Sequence, residues 1–313
     1  MTACRVPPRA SSSTRTRTRR RLPCPSRSGS RAAGSGASGT LALSQTPIPG
    51  VGPAAALLWQ AGAIAETRRT PIVALHGFGG SARSWDAVAA DLGVDGPPLR
   101  AVDLRGHGER ASARPVDLDA VLADLDADLD RLAPHGPAVL AGYSMGGRVA
   151  LQLALARPHR VAALVLVSST AGIEDPAQRA QRRALDDARA RELEDEGVAS
   201  FAARWVALPL WDGDPVAVRD QQRRELEAGD VAGLAAALRG LSPGAVPAVW
   251  DRLPALRPPL TVVVGGRDRR YRALGRRLVA EAPESAREVV IAGAGHGLLR
   301  EAPAAVAAAL RAL

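Results

Sequence analysis

The chain has 313 residues and a formal net charge of +9, and its excess of positive charge lies at one end. Residues 1–65 contain nine arginines and no Asp or Glu, which leaves 32 basic against 32 acidic residues in the remainder. A balanced remainder argues against a protein built to bind nucleic acid through its charge. Both cysteines, Cys4 and Cys24, lie in the basic end, so the remainder has no thiol for a disulfide, a metal site or a nucleophile. No apolar run reaches the ~18 residues of a membrane-spanning helix.

Residues 1–50 form an Arg/Ser-rich segment that we predict to be a disordered tail. The segment has too few large apolar side chains to offset the entropy lost on ordering. A dispensable extension or an over-long start is the first interpretation, and a targeting peptide or a nucleic-acid-binding arm are the alternatives. For the protein as a whole we predict a cytoplasmic location and no nucleic-acid partner.

From about residue 55 to residue 313, short β-branched runs alternate with helical patterns. The six clearest runs are PIVAL (71–75), LRAVDL (99–104), AVLAGY (138–143), VAALVLVSS (161–169), LTVVVGG (260–266) and REVVIAG (287–293). ALLWQ at 56–60 is a weaker candidate for an edge strand. Nearly continuous apolar runs are typical of strands buried on both faces. The alternation therefore predicts an α/β fold with a mostly parallel central sheet and helices on both faces.

Two segments between the strands stand out. The first has leucines at helical spacing and six aspartates from Asp117 to Asp130, which we interpret as a solvated helix face and not as a metal site. The second, at about 174–250, is helical, charged and without strong strand patterns. We predict that this second segment is a helical cap inserted into the sheet domain.

The stretch AGYSMGGRVA contains the pattern G-x-S-x-G, from Gly142 to Gly146. A buried strand precedes the pattern and a helical pattern follows it, as a nucleophile elbow requires. Glycines are needed there because the chain turns sharply, close to neighbouring backbone. We therefore predict that Ser144 is a catalytic nucleophile or base.

A serine hydroxyl needs an adjacent imidazole to take its proton, and a third group to hold the imidazole. Asp268 follows the run VVVGGRD and His296 follows VVIAGAGH, so both come directly after late strands. The order Ser, Asp, His matches that of hydrolases built on this type of sheet. We interpret Asp212, Asp214 and Asp251 as loop or cap residues, with Asp212 and Asp214 solvated, and His135 and His159 as surface residues.

An oxyanion formed beside Ser144 needs two backbone N–H donors. We predict that one is the N–H of Met145 and that the other comes from the loop His76-Gly77-Phe78-Gly79-Gly80, through Phe78. The imidazole of His76 is interpreted as a structural hydrogen-bonding group. For His107, in DLRGHG, a structural role and a role in the site both stay open.

Arginines accumulate around the elbow and in the first cap helix. Arg148 lies about one turn after Ser144, and residues 172–187 place Arg179 and either Arg182 or Arg183 on one helix face. Because guanidinium groups bind carboxylates through two parallel hydrogen bonds, this pattern indicates a small polycarboxylate substrate.

The succession LHGFGGSARSW, AGYSMGGRVAL, the cap phrase from AGIEDPAQRAQRRALDDARA to FAARWVALPLW, GGRDRRYRAL and GAGHGLLREAP resembles one family in particular. It is similar to the 2-succinyl-6-hydroxy-2,4-cyclohexadiene-1-carboxylate (SHCHC) synthases of menaquinone biosynthesis, members of the α/β-hydrolase superfamily, over about residues 71–305. The resemblance implies a lyase that removes a proton from a cyclohexene ring, expels pyruvate from a substrate with three carboxylates, and uses no cofactor or metal. It also implies site residues by motif position: the triad Ser144, Asp268 and His296, and the substrate-binding residues Tyr143, Arg148, Arg182 and Trp205.

Some positions depart from the family pattern. Arg105 stands where the family usually has proline, and Glu109 lies near a usual serine. A further cap arginine of the family has no clear counterpart, and we leave Arg223 and Arg224 outside the site. Two alternatives to the lyase stay open: a serine hydrolase acting on an ester or carbon–carbon bond, and a binding protein without catalysis. We predict a monomer.

Overall fold

The structure is a computed structural model that describes residues 70–313. The predicted tail at 1–50 and the predicted edge strand at 56–60 lie outside the described residues. Among the helices between Thr70 and Leu313, none combines the length and apolar character needed to cross a membrane.

The centre of the described part is a six-stranded sheet in which every neighbouring pair is parallel. Its strands are β1 (Ile72–Leu75), β2 (Leu99–Val102), β3 (Ala138–Tyr143), β4 (Val161–Val167), β5 (Leu260–Gly265) and β6 (Arg287–Ile291). Each of the six predicted runs contains one of these strands, so the predicted parallel sheet is confirmed. The spatial order is β2-β1-β3-β4-β5-β6.

Helices cover both faces of this sheet. In chain order they are α1 (Asp86–Leu92), α2 (Leu118–Leu132), α3 (Met145–Ala156), α4 (Pro176–Glu196), α5 (Val198–Trp205), α6 (Val216–Glu227), α7 (Val231–Gly240), α8 (Arg269–Glu281), α9 (Leu298–Glu301) and α10 (Pro303–Arg311). One face packs on α2, α3 and α8 through residues such as Leu125 and Leu278. The other face packs on α1 and α10 through residues such as Val88 and Leu310. Burial on both faces explains why the strands are apolar without alternation.

Between β4 and β5 the chain forms only helices and short 3-10 turns, from Pro176 to Ala255. These helices have an apolar cluster of their own, which includes Leu193, Phe201, Trp205 and Leu234. Phe78, from the loop after β1, packs against this cluster and against the cluster on one face of the sheet. The helical segment therefore contacts the carboxyl edge of the sheet at the loop predicted to bind an oxyanion.

The acidic helix α2 corrects one interpretation. Asp128 is buried and accepts hydrogen bonds from Arg110 and Arg131, and Asp124 pairs with Arg105 through two bonds of 2.7 and 2.9 Å. Most of the six aspartates therefore pair with arginines instead of facing only water. The sequence spacing did not reveal most of these pairs because, apart from Arg131, the arginines lie in other elements. Within residues 70–313 no cluster of His, Cys, Asp or Glu is arranged to hold a metal ion.

Candidate active site

The site forms where the sheet order reverses. The chain runs from β1 to β2 on one side and then crosses back to β3 on the other side of β1. Ligands in open parallel sheets bind at such a reversal, outside the carboxyl ends of the strands. Leu75 pairs with Gly142 in the sheet, so the loop after β1 and the turn after β3 meet at this edge.

Ser144 lies in the turn between β3 and α3, with a backbone φ of 51° and ψ of −106°. A positive φ strains a residue with a side chain, at about 1–3 kcal/mol, and is retained where surrounding contacts enforce it. The flanking glycines are required by space: a Cβ on Gly142 would lie 2.5 Å from Gly146 O, and a Cβ on Gly146 would lie 2.5 Å from His76 O. The glycines of the G-x-S-x-G pattern are therefore required because neighbouring backbone leaves no room for a side chain, as the sequence predicted.

Three residues that are distant in the chain hydrogen-bond in series. His296 Nε2 lies 3.3 Å from Ser144 Oγ, and His296 Nδ1 lies 2.9 Å from Asp268 Oδ2. Because an ionised carboxylate only accepts, Nδ1–H is the donor to Asp268 and Nε2 is left to accept the serine proton. Asp268 is itself fixed, since its Oδ1 caps α8 by accepting from Tyr271 N at 2.9 Å.

The loop after β1 folds into a tight turn beside Ser144. Gly80 N donates to Gly77 O at 3.2 Å, and Gly79 has a φ of +73°, so the turn places glycine where a side chain would be strained. Gly77 has no room for a Cβ, which would lie 2.9 Å from the Tyr143 ring. The start of the loop lies against the elbow, since Gly146 N donates to His76 O at 3.1 Å. Met145 begins α3, whose first N–H groups have no partner within the helix.

Two buried histidines hold this loop. His76 Nδ1 donates to Gly77 O at 2.8 Å while its Nε2 accepts from Leu104 N at 3.0 Å. His107 Nε2 accepts from Gly79 N at 3.2 Å, and its Nδ1 donates to Arg105 O at 3.2 Å. Burial lowers the pKa of His76 and lowers the pKa of His107 to about 3, so both rings are neutral. Both rings serve as structural hydrogen-bonding groups. For His107, whose role the sequence left open, these contacts favour the structural role.

Arg148 lies in α3, one turn after Ser144, and is only 6% exposed. Its Nη2 donates to Leu241 O at 3.0 Å, but its Nε has no hydrogen-bond partner among residues 70–313. Burial lowers the pKa of Arg148 to about 10, and the nearby positive charge of Arg182 acts in the same direction. A buried cation with an unused donor is costly unless an anion completes it.

The predicted cap arginine, Arg182, lies on α4 and shares a partner with a second arginine. Arg182 Nε lies 2.7 Å from Asp186 Oδ2, and Arg189 Nη1 lies 3.2 Å from Asp186 Oδ1, with the Asp186 side chain 1% exposed. Arg189 was not selected from the sequence, because no spacing rule distinguishes it from the solvent-facing arginines of α4. Its guanidinium lies 5.7 Å from the centre of the Trp205 ring.

Tyr143 and Trp205 both contact the loop after β1. The Tyr143 ring is buried under Gly77, its hydroxyl donates to His296 O at 3.2 Å, and burial raises its pKa. The Trp205 ring centre lies 4.8 Å from that of Phe78. A series of pairwise contacts therefore links α4 to the loop after β1: Arg182 and Arg189 with Asp186, Arg189 with Trp205, and Trp205 with Phe78.

Asp214 was interpreted as solvated, and this was wrong. It is 5% exposed, and its Oδ2 accepts from Gly297 N at 3.2 Å, next to His296. Trp211, from the same segment, packs the edge of its ring against His296 with ring centres 5.4 Å apart. These contacts join residues about 80 positions apart, and local sequence gave no sign of them.

A cap carboxylate also pairs with a buried arginine of the sheet domain. Arg300 donates from Nε to Glu225 Oε1 at 2.9 Å and from Nη2 to Glu225 Oε2, and Ser84 Oγ lies 3.1 Å from the same carboxylate. The Arg300 side chain is 2% exposed. Burial alone would lower the pKa of Arg300, but its hydrogen bonds and charge interactions with Glu225 and Tyr143 together outweigh burial, so the pKa is raised. This pair fixes α6 to the segment that carries His296.

The other candidates are solvent-exposed or paired elsewhere. His135, His159, Asp212 and Asp251 are exposed. Of the two arginines left outside the site, Arg224 is exposed and Arg223 pairs with Glu227. A cavity of about 870 Å³ is lined by residues such as Ile72, Val139 and Thr261 at the opposite edge of the sheet, and it contains none of the predicted site residues.

Comparison with known proteins gives consistent results. The model of the alpha/beta hydrolase family matches residues 72–309. The 2-succinyl-6-hydroxy-2,4-cyclohexadiene-1-carboxylate synthase of Escherichia coli O1:K1 is 33% identical over 243 residues, which cover 76% of this chain and 91% of that protein. The chloroplastic protein PHYLLO of Arabidopsis thaliana is 30% identical over 256 residues, and this chain spans only 15% of its length. Among solved structures, MenH from S. aureus superposes with a TM-score of 0.72 at 28% identity, covering 77% of this chain and 91% of that one.

Proposed function

This chain belongs to the alpha/beta hydrolase family and, within it, to the SHCHC synthases, and from that premise we propose that it is the pyruvate-eliminating lyase of menaquinone biosynthesis. Its substrate is 2-succinyl-5-enolpyruvyl-6-hydroxy-3-cyclohexene-1-carboxylate and its product is SHCHC. The observation that carries the proposal is Arg148, a buried guanidinium with an unused N–H one turn from Ser144. A substrate carboxylate supplies the partner that the described residues do not.

The two chemical names define the bonds that change. The substrate ring has its double bond between carbons 3 and 4, whereas the product has double bonds at 2,3 and 4,5. Loss of the proton on carbon 2 and of the enolpyruvyl oxygen on carbon 5 moves an electron pair through the ring. The leaving group departs as the enolate of pyruvate and takes up a proton on carbon to become pyruvate. The reaction needs a base, stabilisation of a transient oxyanion, and sites for carboxylates.

Ser144 and His296 supply the base. Ser144 Oγ removes the ring proton while its own proton passes to His296 Nε2, at the observed separation of 3.3 Å. Asp268 holds the imidazole in the tautomer that leaves Nε2 free to accept, and it stabilises the imidazolium that forms. No covalent intermediate is needed, because the proton and not a carbonyl carbon is attacked.

The N–H groups of Phe78 and Met145 supply the oxyanion site. The proton on carbon 2 is acidic because the succinyl carbonyl is attached there, and its removal places negative charge on that carbonyl oxygen. Preorganised backbone donors at such an oxygen are worth about 2.7–4 kcal/mol each in related sites. The tight turn at Gly77–Gly80, held by His76 and His107, gives the loop the rigidity that this role needs.

Arg148, Arg182 and Arg189 supply the carboxylate sites, and Tyr143 and Trp205 are the aromatic residues that we propose to line the site. The substrate carries a ring carboxylate, a succinyl carboxylate and an enolpyruvyl carboxylate. Arg148 binds one of these carboxylates. Arg182 and Arg189 share the single negative charge of Asp186, so one net positive charge is left to bind a second substrate carboxylate. Arg189 is thus proposed as a carboxylate-binding residue although it was not among the site residues predicted from the sequence.

The experiment is a pyruvate assay. The purified protein is incubated with the enolpyruvyl substrate, and release of pyruvate is followed with lactate dehydrogenase. The proposal expects stoichiometric pyruvate and slow turnover of p-nitrophenyl esters, because esters without carboxylates leave Arg148 unpartnered. Rapid ester hydrolysis without pyruvate release would instead identify a serine hydrolase, since the same triad serves both reactions.

We further propose a monomer located in the cytoplasm, acting on a small polycarboxylate without nucleic acid. The electrical balance beyond residue 65 supports a partner that is not nucleic acid. Light scattering on the purified protein and fractionation of cells test the other two statements.

A further inference from the structure

His296 lies in a three-residue segment, Gly295 to Gly297, that is held on both sides by carboxylates. Gly295 N donates to Glu301 Oε2 at 2.6 Å, and Gly297 N donates to Asp214 Oδ2 at 3.2 Å. Glu301 belongs to the sheet domain and also pairs with Arg267. Asp214 comes from the helical cap. The base is therefore fixed by one group from each part of the molecule.

Asp214 is an unusual partner for a backbone amide. Its side chain is almost fully buried, and its Oδ1 has no hydrogen-bond partner among residues 70–313. Burial, followed by the negative charge of Glu301, raises the pKa of Asp214 above its ordinary value. A carboxylate held this way lowers the stability of the fold at neutral pH, because ionisation is easier in the unfolded chain. A neutral amide side chain would accept the same hydrogen bond without that cost.

We propose that Asp214 is a positioning residue for catalysis, through which the cap holds the segment of His296 in place and its negative charge favours the imidazolium formed in the reaction. This inference rests on the proposed function, which supplies the reaction, and its mechanism is argued from the contacts of Asp214. The carboxylate lies over Gly295 and Gly297, where a side chain on either glycine would collide with it. The Trp211 ring, from the same cap segment, packs against the imidazole.

The charge of Asp214 acts on His296 in a defined surrounding. Asp268 faces the imidazole from the loop after β5, and the rings of Tyr143 and Tyr271 face it from β3 and α8. Ser144, which faces Nε2, is uncharged. Around Asp214 itself lie Glu301, His296 and Arg267, and the last two favour its ionised form. Because Asp268 alone carries the hydrogen bond to Nδ1, Asp214 adds a second negative charge without competing for that proton.

The test compares Asp214→Asn with the matched control Asp212→Asn, which changes an exposed carboxylate two residues earlier. Asparagine keeps an acceptor for Gly297 N and removes the charge, and it places an amide NH2 where Asp214 Oδ1 has no hydrogen-bond partner in the described part of the chain. Three quantities are measured for each variant across pH: kcat and KM for pyruvate release, the second-order rate of Ser144 labelling by a fluorophosphonate, and Tm.

For Asp214→Asn the proposal expects kcat to fall about tenfold with KM within about twofold, and Tm to stay equal or rise. It also expects the acidic limb of both rate profiles to move to lower pH by about half a unit or more, because a charge that favours imidazolium is gone. Asp212→Asn should match the unaltered protein in every quantity.

The proposal is overturned if Asp214→Asn leaves kcat and the acidic limbs of both pH–rate profiles unchanged. It is also overturned if the variant loses activity in parallel with a fall in Tm. Asp214→Ser serves the same measurements if the asparagine variant yields no folded protein. If the unaltered protein labels at Ser144 but releases no pyruvate, the proposed function fails while the labelling profiles still decide the role of Asp214.

Discussion

The carboxyl edge of the sheet and the helical cap contribute to the site in different ways. The sheet edge supplies Ser144, His296 and Asp268, each placed at the end of a strand whose register is fixed by buried parallel pairing. The cap supplies charged side chains from its helices, which contact the sheet domain through pairs such as Glu225 with Arg300. We therefore expect the sheet edge to define a chemistry common to many substrates and the cap to select the anion.

The difference between the sheet edge and the cap is tested most strongly by removing the hydroxyl of Ser144. Ser144→Ala should lower kcat/KM for pyruvate release by about 1,000-fold or more, because the proton relay loses its first member. The free energy of unfolding should hardly change, since alanine meets the same backbone strain. Steady-state kinetics and thermal unfolding by circular dichroism measure both. Residual activity within about tenfold would show that the cap, and not the sheet edge, carries the chemistry.

Arg148 lies at the boundary between the two regions. Arg148→Met should lower kcat/KM about 100-fold, mostly through a higher KM, because one substrate carboxylate loses its partner. Because burial lowers the pKa of Arg148 to about 10, its charged form is disfavoured in the fold at neutral pH. The free energy of unfolding should therefore rise by about 1–3 kcal/mol, as denaturant titration would show. A variant that loses stability as well as affinity would indicate a structural role alone.

The cap arginines should act on binding with a smaller effect. Arg182→Ala should raise KM about 10- to 30-fold with little change in Tm, because Asp186 keeps Arg189 as a partner. The control is Arg191→Ala, an exposed arginine of the same helix that pairs with Asp187. It should change KM by less than about twofold. Equal effects in both variants would show that the cap acts only through its overall charge.

The smallest effect on catalysis is expected in the scaffold, where the change is instead a dependence of stability on pH. Burial lowers the pKa of His107 to about 3, so the unfolded chain takes up a proton below about pH 6.5 that the fold does not. This residue therefore reduces stability as pH falls from about 6.5 towards 3. His107→Gln should flatten that slope by up to about 1.4 kcal/mol per pH unit, measured by urea unfolding at several pH values. An unchanged slope would show that His107 is not held neutral.

The strands were predictable because their cause is local. A run such as Val161–Val167 is apolar throughout, and only burial on both faces accommodates it. The elbow was predictable for the same reason, since glycine at 142 and 146 is required by contacts within a few residues of the turn or with the adjacent strand. Placing Ser144, Asp268 and His296 at strand ends followed from parallel strands sharing one carboxyl edge.

The cap contacts were not predictable in the same way. Asp214 and Asp212 lie two residues apart in one polar segment, yet only Asp214 is buried against Gly297. Arg182, Arg189 and Arg191 share one helix, and the difference between them is the position of Asp186 and Trp205. The acidic helix α2 was misread for a related reason, because its partners Arg105 and Arg110 come from a different loop.

The sequence by itself determined the parallel sheet, the strained serine turn and the order of the residues that follow the strands, because hydrophobic runs and steric limits act between near neighbours. Only the tertiary structure decided which charges are buried, that Asp186 and not Asp187 is the buried carboxylate of its helix, and that a cap aspartate accepts a hydrogen bond from the segment of His296. Burial depends on groups brought together from distant parts of the chain, and those distances are set when helices pack and not by the order of residues within any one of them.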